Sequence, residues 1–422
     1  MKQASLMNDI CIHENSIAHL KFTAQWSDQA GSHTAIQHVE KFNIWRDIDL
    51  LPEPLKNDIL HHSVGKRESH TFTSGEIVPA WKSSQLITLP LQNFYGYLPA
   101  GRLPNRCLTN GSGVMPRAGR FYPKGLIKGV NGVYSENMFP VRLVEVRGDE
   151  IVVDFNHPLA TQDIKLDVEI IDIFPPSDEH GGRCTDIVQE FLCNGPGMQM
   201  PSKDTPTDFN VESVFDRVDE NADEVFYQKQ RKVHHLDAHA RKTISELYAS
   251  AIKPGSRVLD LMSSWESHIP ESIESIKVSG LGMNEAELKA NPVLDDYLVH
   301  DLNKDPLLAY KNESFDSVIC TASVEYLINP LKVFEQIKRV LKPGGLCYMT
   351  FSNRWFPTKS IMLWSELHEF ERIGLVSEFF RQSGWEGDVN TLSSKGLHRP
   401  VDDPHYENTQ ISDPVYAVWC HK

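Results

Sequence analysis

Two hydrophobic patterns divide the chain. Up to about residue 174, apolar and polar positions tend to alternate, the period of half-buried strands. Residues 16–26, 34–45 and 65–73 read as strands in this way, and 164–173 alternates most cleanly. Residues 139–146 and 150–155 form two more, joined through Gly148-Asp149, a hairpin signal. Residues 51–60 instead place Leu55, Ile59 and Leu60 on one face behind two early prolines, which predicts a short helix. Between Pro90 and Pro123 the chain is rich in Gly, Pro, Arg and Asn and reads as a long loop region.

From residue 226 the pattern changes. Leu236, Ala240, Ile244, Leu247 and Ala251 make a helical stripe. Short apolar runs at 258–261, 276–282, 297–302, 315–321, 346–352 and 415–420 then alternate with helical stretches at 284–291 and 331–341, as in a parallel α/β sheet. Residues 175–225 lie between the two regimes and carry turn chemistry. Phe191, Leu192 and two methionines in this connector need cover, so it reads as a strap across a surface and not as a loose tether. The fold class is therefore multi-domain: a β-rich α+β module, then an α/β Rossmann-like module.

Composition narrows the functional classes. A chain of 422 residues has room for two or three domains. A net charge of −15 argues against nucleic acid and anionic membranes as partners, since both select a basic face. No apolar run reaches the ~18–20 residues of a membrane span, and the N-terminus shows no apolar signal core, so a cytoplasmic location is expected. Seven scattered cysteines without a C-x-x-C pair suit a reducing compartment and give no zinc site. The i, i+4 spacing puts His235 and His239 on one helical face, compatible with a metal, but no third ligand is marked; no metal is expected.

The segment Asn156-His-Pro-Leu-Ala160 leading into 164–170, together with Phe94-Tyr-Gly96 and Ser63-Val-Gly-Lys66, resembles the SlyD-type FKBP peptidyl-prolyl isomerases. That resemblance implies an FKBP-like domain over 1–174 with a flap insert at roughly 97–156, and a prolyl-containing protein or peptide as partner. It places Phe22, Leu51 and Tyr95 in the isomerase pocket. Phe22 stands where a pocket Tyr is usual, Leu166 where a Phe is usual, and the family's Phe-Asp pair and helix Trp have no counterpart.

In the second module, Arg257-Val-Leu-Asp-Leu-Met-Ser-Ser-Trp265 is an apolar strand ending in an acid and a tight loop, the arrangement that holds nucleotide-like ligands at the carboxyl edge of a doubly wound sheet. With 315–320 and Arg339-Val-Leu-Lys-Pro-Gly-Gly345, it resembles the class I S-adenosyl-L-methionine (SAM) methyltransferases over 226–422. Met262, Ser263 and Ser264 stand where glycines are usual. The resemblance implies SAM as cofactor: Asp260, Met262, Ser263 and Ser264 at its amino-acid end, Gly282, Met283 and Asn284 at the ribose, Asp301 and Leu302 at the adenine, and Thr321 and Ser323 near the sulfonium. Tyr227, Arg231, His235 and Tyr326 fall where a lid or an acceptor site is implied. The acceptor itself is not legible. Two readings stand: a fused isomerase and methyltransferase, or a non-catalytic binding protein with a partner-docking barrel and an inactive methyltransferase fold.

Overall fold

A computed structural model describes residues 11–44, 51–94, 116–175, 207–209 and 214–422. Its first strands, β1 (Ile17–Asp28) and β2 (Gly31–Asn43), pair as an antiparallel hairpin. Helix α1 (Glu53–Ile59) buries Leu55 and Ile59 beneath the sheet, the face its apolar spacing marks. Strands β3 (Arg67–Phe72) and β8 (Ile164–Phe174) complete a four-stranded unit in the order β2-β1-β8-β3.

Between β3 and β8 the chain builds a separate small sheet. It consists of β4 (Leu86–Pro90), β5 (Phe121–Pro123), β6 (Pro140–Arg147) and β7 (Glu150–Asp154), ordered β4-β7-β6-β5. The insert thus begins with β4, before the boundary near 97 drawn from the sequence. Phe94, Tyr122, Leu143, Ile151 and Val153 lie in its own core.

The C-terminal half alternates strand and helix as the pattern predicts. Helix α2 (Asp223–Tyr227) and α3 (Ala238–Ala251) precede β9 (Arg257–Leu261), β10 (Lys277–Gly282), α4 (Glu285–Leu288), β11 (Asp296–Val299), β12 (Phe315–Thr321), α5 (Pro330–Val340) and β13 (Leu341–Phe351). Three elements had no clear signal: α6 (Met362–Glu366), α7 (Glu369–Gln382) and β14 (Asn390–Lys395), before the final strand β15 (Val415–His421). Helix α7 is buried on most of its surface, so its apolar residues show no single stripe to read. Strand β14 (Asn-Thr-Leu-Ser-Ser-Lys) buries Thr391, Ser393 and Ser394 as well as Leu392, so alternation is absent.

The C-terminal strands are ordered β11-β10-β9-β12-β13-β15-β14, parallel except for β15. The halves expected as successive modules are joined edge to edge. Strand β14 pairs in parallel with β2, Thr391 opposite His33 and Lys395 opposite Gln37, so one eleven-stranded sheet runs through both. Gly396 makes this seam possible. Its φ is +92°, and a Cβ there would lie 2.1 Å from the His38 carbonyl oxygen. His33 Nδ1 and Thr391 Oγ1 lie 2.8 Å apart across the seam, and Val389 N–H donates to the Ala30 carbonyl at 2.7 Å.

The insert docks on the C-terminal half as well. Arg120 Nε and the Phe121 N–H both donate to Glu371 Oε1 at 2.9 Å, and the Phe121 ring stands edge-on to Phe370 at 5.2 Å. Glu371 Oε2 accepts from the His368 N–H and closes the N-terminus of α7. No helix among the described residues is long and apolar enough to cross a membrane.

Candidate active site

The order β11-β10-β9-β12-β13 reverses direction between β9 and β12. An open α/β sheet leaves its crevice at that point, outside the carboxyl ends of the strands. A cavity of about 490 Å³ lies there, within the range of small-molecule sites. Its walls come from the ends of β9 to β13 and its roof from 223–236.

Asp260 sits at the end of β9, 2% exposed. Its Oδ2 accepts from Ser263 Oγ and Ser267 Oγ, both at 2.5 Å; Oδ1 has no partner among the described residues. Burial pushes its carboxyl up to about 6, although the two serine hydroxyls and His268 pull the other way. The loop turns back at Met262, at φ 56°, and the Ser263 N–H donates to the Leu281 carbonyl at 2.7 Å. Gly282 is what lets the loop lie so close to β10: a Cβ there would be 2.2 Å from the Ser263 carbonyl oxygen. Ser264 Oγ donates to Glu287 Oε2 at 2.7 Å, and the Arg231 N–H to Glu287 Oε1 at 2.6 Å, so one carboxylate ties the loop to the roof. The serines where glycine is usual are hydrogen-bonding members of this loop. Ser267 completes an Asp-x-x-Ser-x-x-x-Ser spacing that the sequence reading passed over.

Met283, Asn284, Asp301, Leu302, Thr321 and Ser323 all line the cavity. Asn284 is the one whose expected role the structure redirects. Its Oδ1 caps α4 by accepting from Ala286 and Glu287 N–H, and its Nδ2 donates to the Tyr227 and Gln228 carbonyls. Both lone-pair positions and both N–H groups are occupied, which removes the amide from ribose recognition. Asp301 Oδ1 accepts from the Asn303 and Lys304 N–H groups, and Oδ2 has no partner among the described residues. Thr321 Oγ1 lies 2.6 Å from the Tyr248 hydroxyl, which also reaches Thr350 Oγ1 at 2.9 Å. Ser323 Oγ donates to the Thr321 carbonyl. The Tyr326 hydroxyl accepts from the Phe356 N–H at 2.9 Å, fixing the end of β12 against the loop after β13.

The roof brings Tyr227, Arg231 and His235 over the same cavity. A buried cluster that the sequence reading missed holds it down. Asp223 accepts from Arg217 NH1 through both oxygens, from Asn303 Nδ2 at 2.8 Å, and pairs with Lys359 Nζ at 3.1 Å. Burial opposes the Asp223 charge, yet these donors hold its carboxyl below the usual range. Lys359 is fully buried and also donates to the Asp219 and Asn221 carbonyls. In sequence each of these residues looks like an ordinary surface polar group. Glu325, which the sequence places close to the sulfonium position, is fully buried, neither oxygen has a partner among the described residues, and burial pushes its carboxyl up to about 8.

One sequence expectation is corrected. His235 precedes α3 and His239 lies within it, so they do not share a helical face. The His235 ring stands edge-on to Phe356 at 5.1 Å, and His239 Nδ1 bonds the His398 carbonyl. Among isomerase-pocket residues, Phe22 and Leu166 are fully covered and Leu51 is 6% exposed, all within the core under the N-terminal sheet. Tyr95 lies outside the described residues.

Residues 271–349 match the family model for a methyltransferase domain. The chain carries a methyltransferase domain. It is 27% identical over 146 residues to the demethylmenaquinone methyltransferase of Lysinibacillus sphaericus, covering 32% of this chain and 59% of that protein. The match therefore spans less than two thirds of that relative's length. A SAM-dependent methyltransferase structure from Aquifex aeolicus is 16% identical and covers 44% of this chain and 90% of its own, with a TM-score of 0.30. A 31-residue stretch is 55% identical to the FKBP-type 16 kDa peptidyl-prolyl cis-trans isomerase of Escherichia coli, 7% of this chain and 21% of that one.

The cofactor of the methyltransferase domain is S-adenosyl-L-methionine, and the site's donors fit it. Asp260 presents an unpartnered carboxylate oxygen, the complement of an α-ammonium group, and Asp301 presents another across the cavity, the complement of an exocyclic amine.

Proposed function

We propose that the chain is a SAM-dependent methyltransferase whose reaction takes place in the cavity between β9 and β12. The observation that carries this reading is Asp260: a buried carboxyl with one oxygen oriented by two serines and the other without a partner among the described residues. Such a group is held at a cost unless a ligand brings the opposite charge.

When bound, SAM would supply an electrophilic methyl group to the acceptor's lone pair, leaving S-adenosylhomocysteine. The residues of the chain supply alignment and a dry enclosure. Orientation of this kind contributes ~7–11 kcal/mol to such displacements. Asp260 and the Met262–Ser264 backbone hold the amino-acid end. Asp301 and Leu302 take the adenine. The roof excludes water, held down through Asp223 and Lys359. His235 is kept neutral, by burial first and then by Arg231 and Arg354, so it can accept a proton from an acceptor that must lose one.

In this reading the N-terminal half serves as a docking module for a prolyl-containing protein or peptide. A calorimetric titration with SAM tests the proposal: saturable heat with a one-to-one stoichiometry and a rise in melting temperature are expected, whereas the absence of both would leave the non-catalytic binding protein as the better account.

A further inference from the structure

At one end of the cavity, positive charge is only weakly countered. Arg231 lies with its guanidinium 4.2 Å from the Phe226 ring and 5.5 Å from the Phe356 ring; its only hydrogen bond from that group is NH1 to the Lys229 carbonyl at 3.3 Å, and no carboxylate lies within ion-pair distance among the described residues. Arg354, in the loop after β13, has Asp413 as its nearest carboxylate, 3.9 Å from Nε, and Asp413 is already paired with Arg399. His235, against the Phe356 ring, feels both arginines. Nearby acids are committed elsewhere. Glu266 pairs with His234 and His268, Glu287 takes Ser264 and the Arg231 N–H, and Asp223 is held by Arg217 and Lys359. One guanidinium without an ion pair, Arg231, and one only loosely paired at 3.9 Å, Arg354, around an aromatic platform in a chain of net charge −15 are a selective feature and not a general basic surface.

We infer that this end of the cavity receives a methyl acceptor bearing an anionic carboxylate or phosphate group on a flat apolar body. The forks of Arg231 and Arg354 match two oxygens of such a group, and Phe356 and Tyr227 line the wall beside them. The inference rests on the methyltransferase reading, since it places the anion beside the cofactor. The same chemistry has a second source, the carboxylate of the cofactor's own methionine end, and the test separates the two.

S-adenosylhomocysteine is first titrated into the unaltered chain; this step reports on the cofactor reading alone. Phenyl phosphate, benzoate and phenol are then titrated into the saturated protein. Phenyl phosphate or benzoate should bind at least ~10-fold more tightly than phenol. Arg231→Gln and Arg354→Gln should each weaken the anionic probes by ~10-fold or more, about 1.4 kcal/mol, with S-adenosylhomocysteine affinity changed by less than ~2-fold. Arg354→Lys, which keeps the charge and loses the fork, should fall between and serves if a glutamine variant does not fold. Anionic probes binding no better than phenol would overturn the inference. So would arginine variants that lose S-adenosylhomocysteine affinity by the same factor, because the forks would then serve the cofactor.

Discussion

Gly282 and Asp260 act together although they stand on different strands. The glycine lets the Met262–Ser264 loop press against β10, and that approach fixes the serine hydroxyl that orients the Asp260 carboxylate. Gly282→Ala would put a Cβ 2.2 Å from the Ser263 carbonyl oxygen. It is expected to destabilise the fold by about 1–3 kcal/mol and to weaken SAM binding; an unchanged denaturation midpoint would contradict the packing described. Glu325 offers a second test at this scale. Its folded-state carboxyl titrates at about 8 against an ordinary 4.5, so the folded state holds the proton more tightly than the unfolded chain. The associated stability is fully present below about 4.5 and is lost as pH rises through about 8. Glu325→Gln should therefore flatten the fall in stability between pH 6 and pH 9. Each tenfold difference in proton affinity is worth ~1.4 kcal/mol, so the variant should be the more stable at pH 9 by a few kcal/mol. Equal slopes in urea unfolding would rule this out. The acids at strand ends, Asp260 and Asp301, were legible because the chemistry of a switch point demands them. Asn284 was legible both as the cap of a helix over 284–291 and as a ribose contact, and the structure uses it as the cap. The isolation of Glu325 was not legible, because nothing local records which partners a side chain lacks.

At the scale of elements, strands and helices with one buried face were readable, and those buried on several sides were not. Strands β9, β10 and β12 carry apolar runs bounded by turns, and α5 carries a strong stripe. Helix α7 carries no such stripe, yet it is the element on which the insert rests. Glu371 joins the two by capping α7 with one oxygen and holding Arg120 and the Phe121 N–H with the other. Glu371→Ala would leave the buried Arg120 guanidinium without its carboxylate, and removing one member of a buried pair costs about 3–5 kcal/mol. The variant should melt earlier and be cut by protease within 116–154 faster than the unaltered chain. Unchanged cleavage would mean that the insert is held by other contacts.

At the scale of the whole molecule, an FKBP-like N-terminal half and a methyltransferase-like C-terminal half were each suggested by local motifs, while their joining was hidden. Parallel pairing of β14 with β2 links residues more than 350 positions apart, and half of the strand that makes the join is Ser and Thr. The consequence is one continuous sheet, with the cavity at the β9/β12 switch point separated from the seam by β13 and β15. The account's central claim is that this single body binds SAM through the Asp260 carboxylate. The most direct measurement is the SAM dissociation constant by calorimetry between pH 5 and pH 8, for the unaltered chain and for Asp260→Asn. Because the free carboxyl titrates at about 6 and only its ionised form complements an ammonium group, affinity should be level above pH 7 and fall by up to ~10-fold for each pH step of one below 6. Asp260→Asn should bind weakly with that dependence removed. An affinity that does not change with pH, or one that the Asn variant retains in full, would contradict the account.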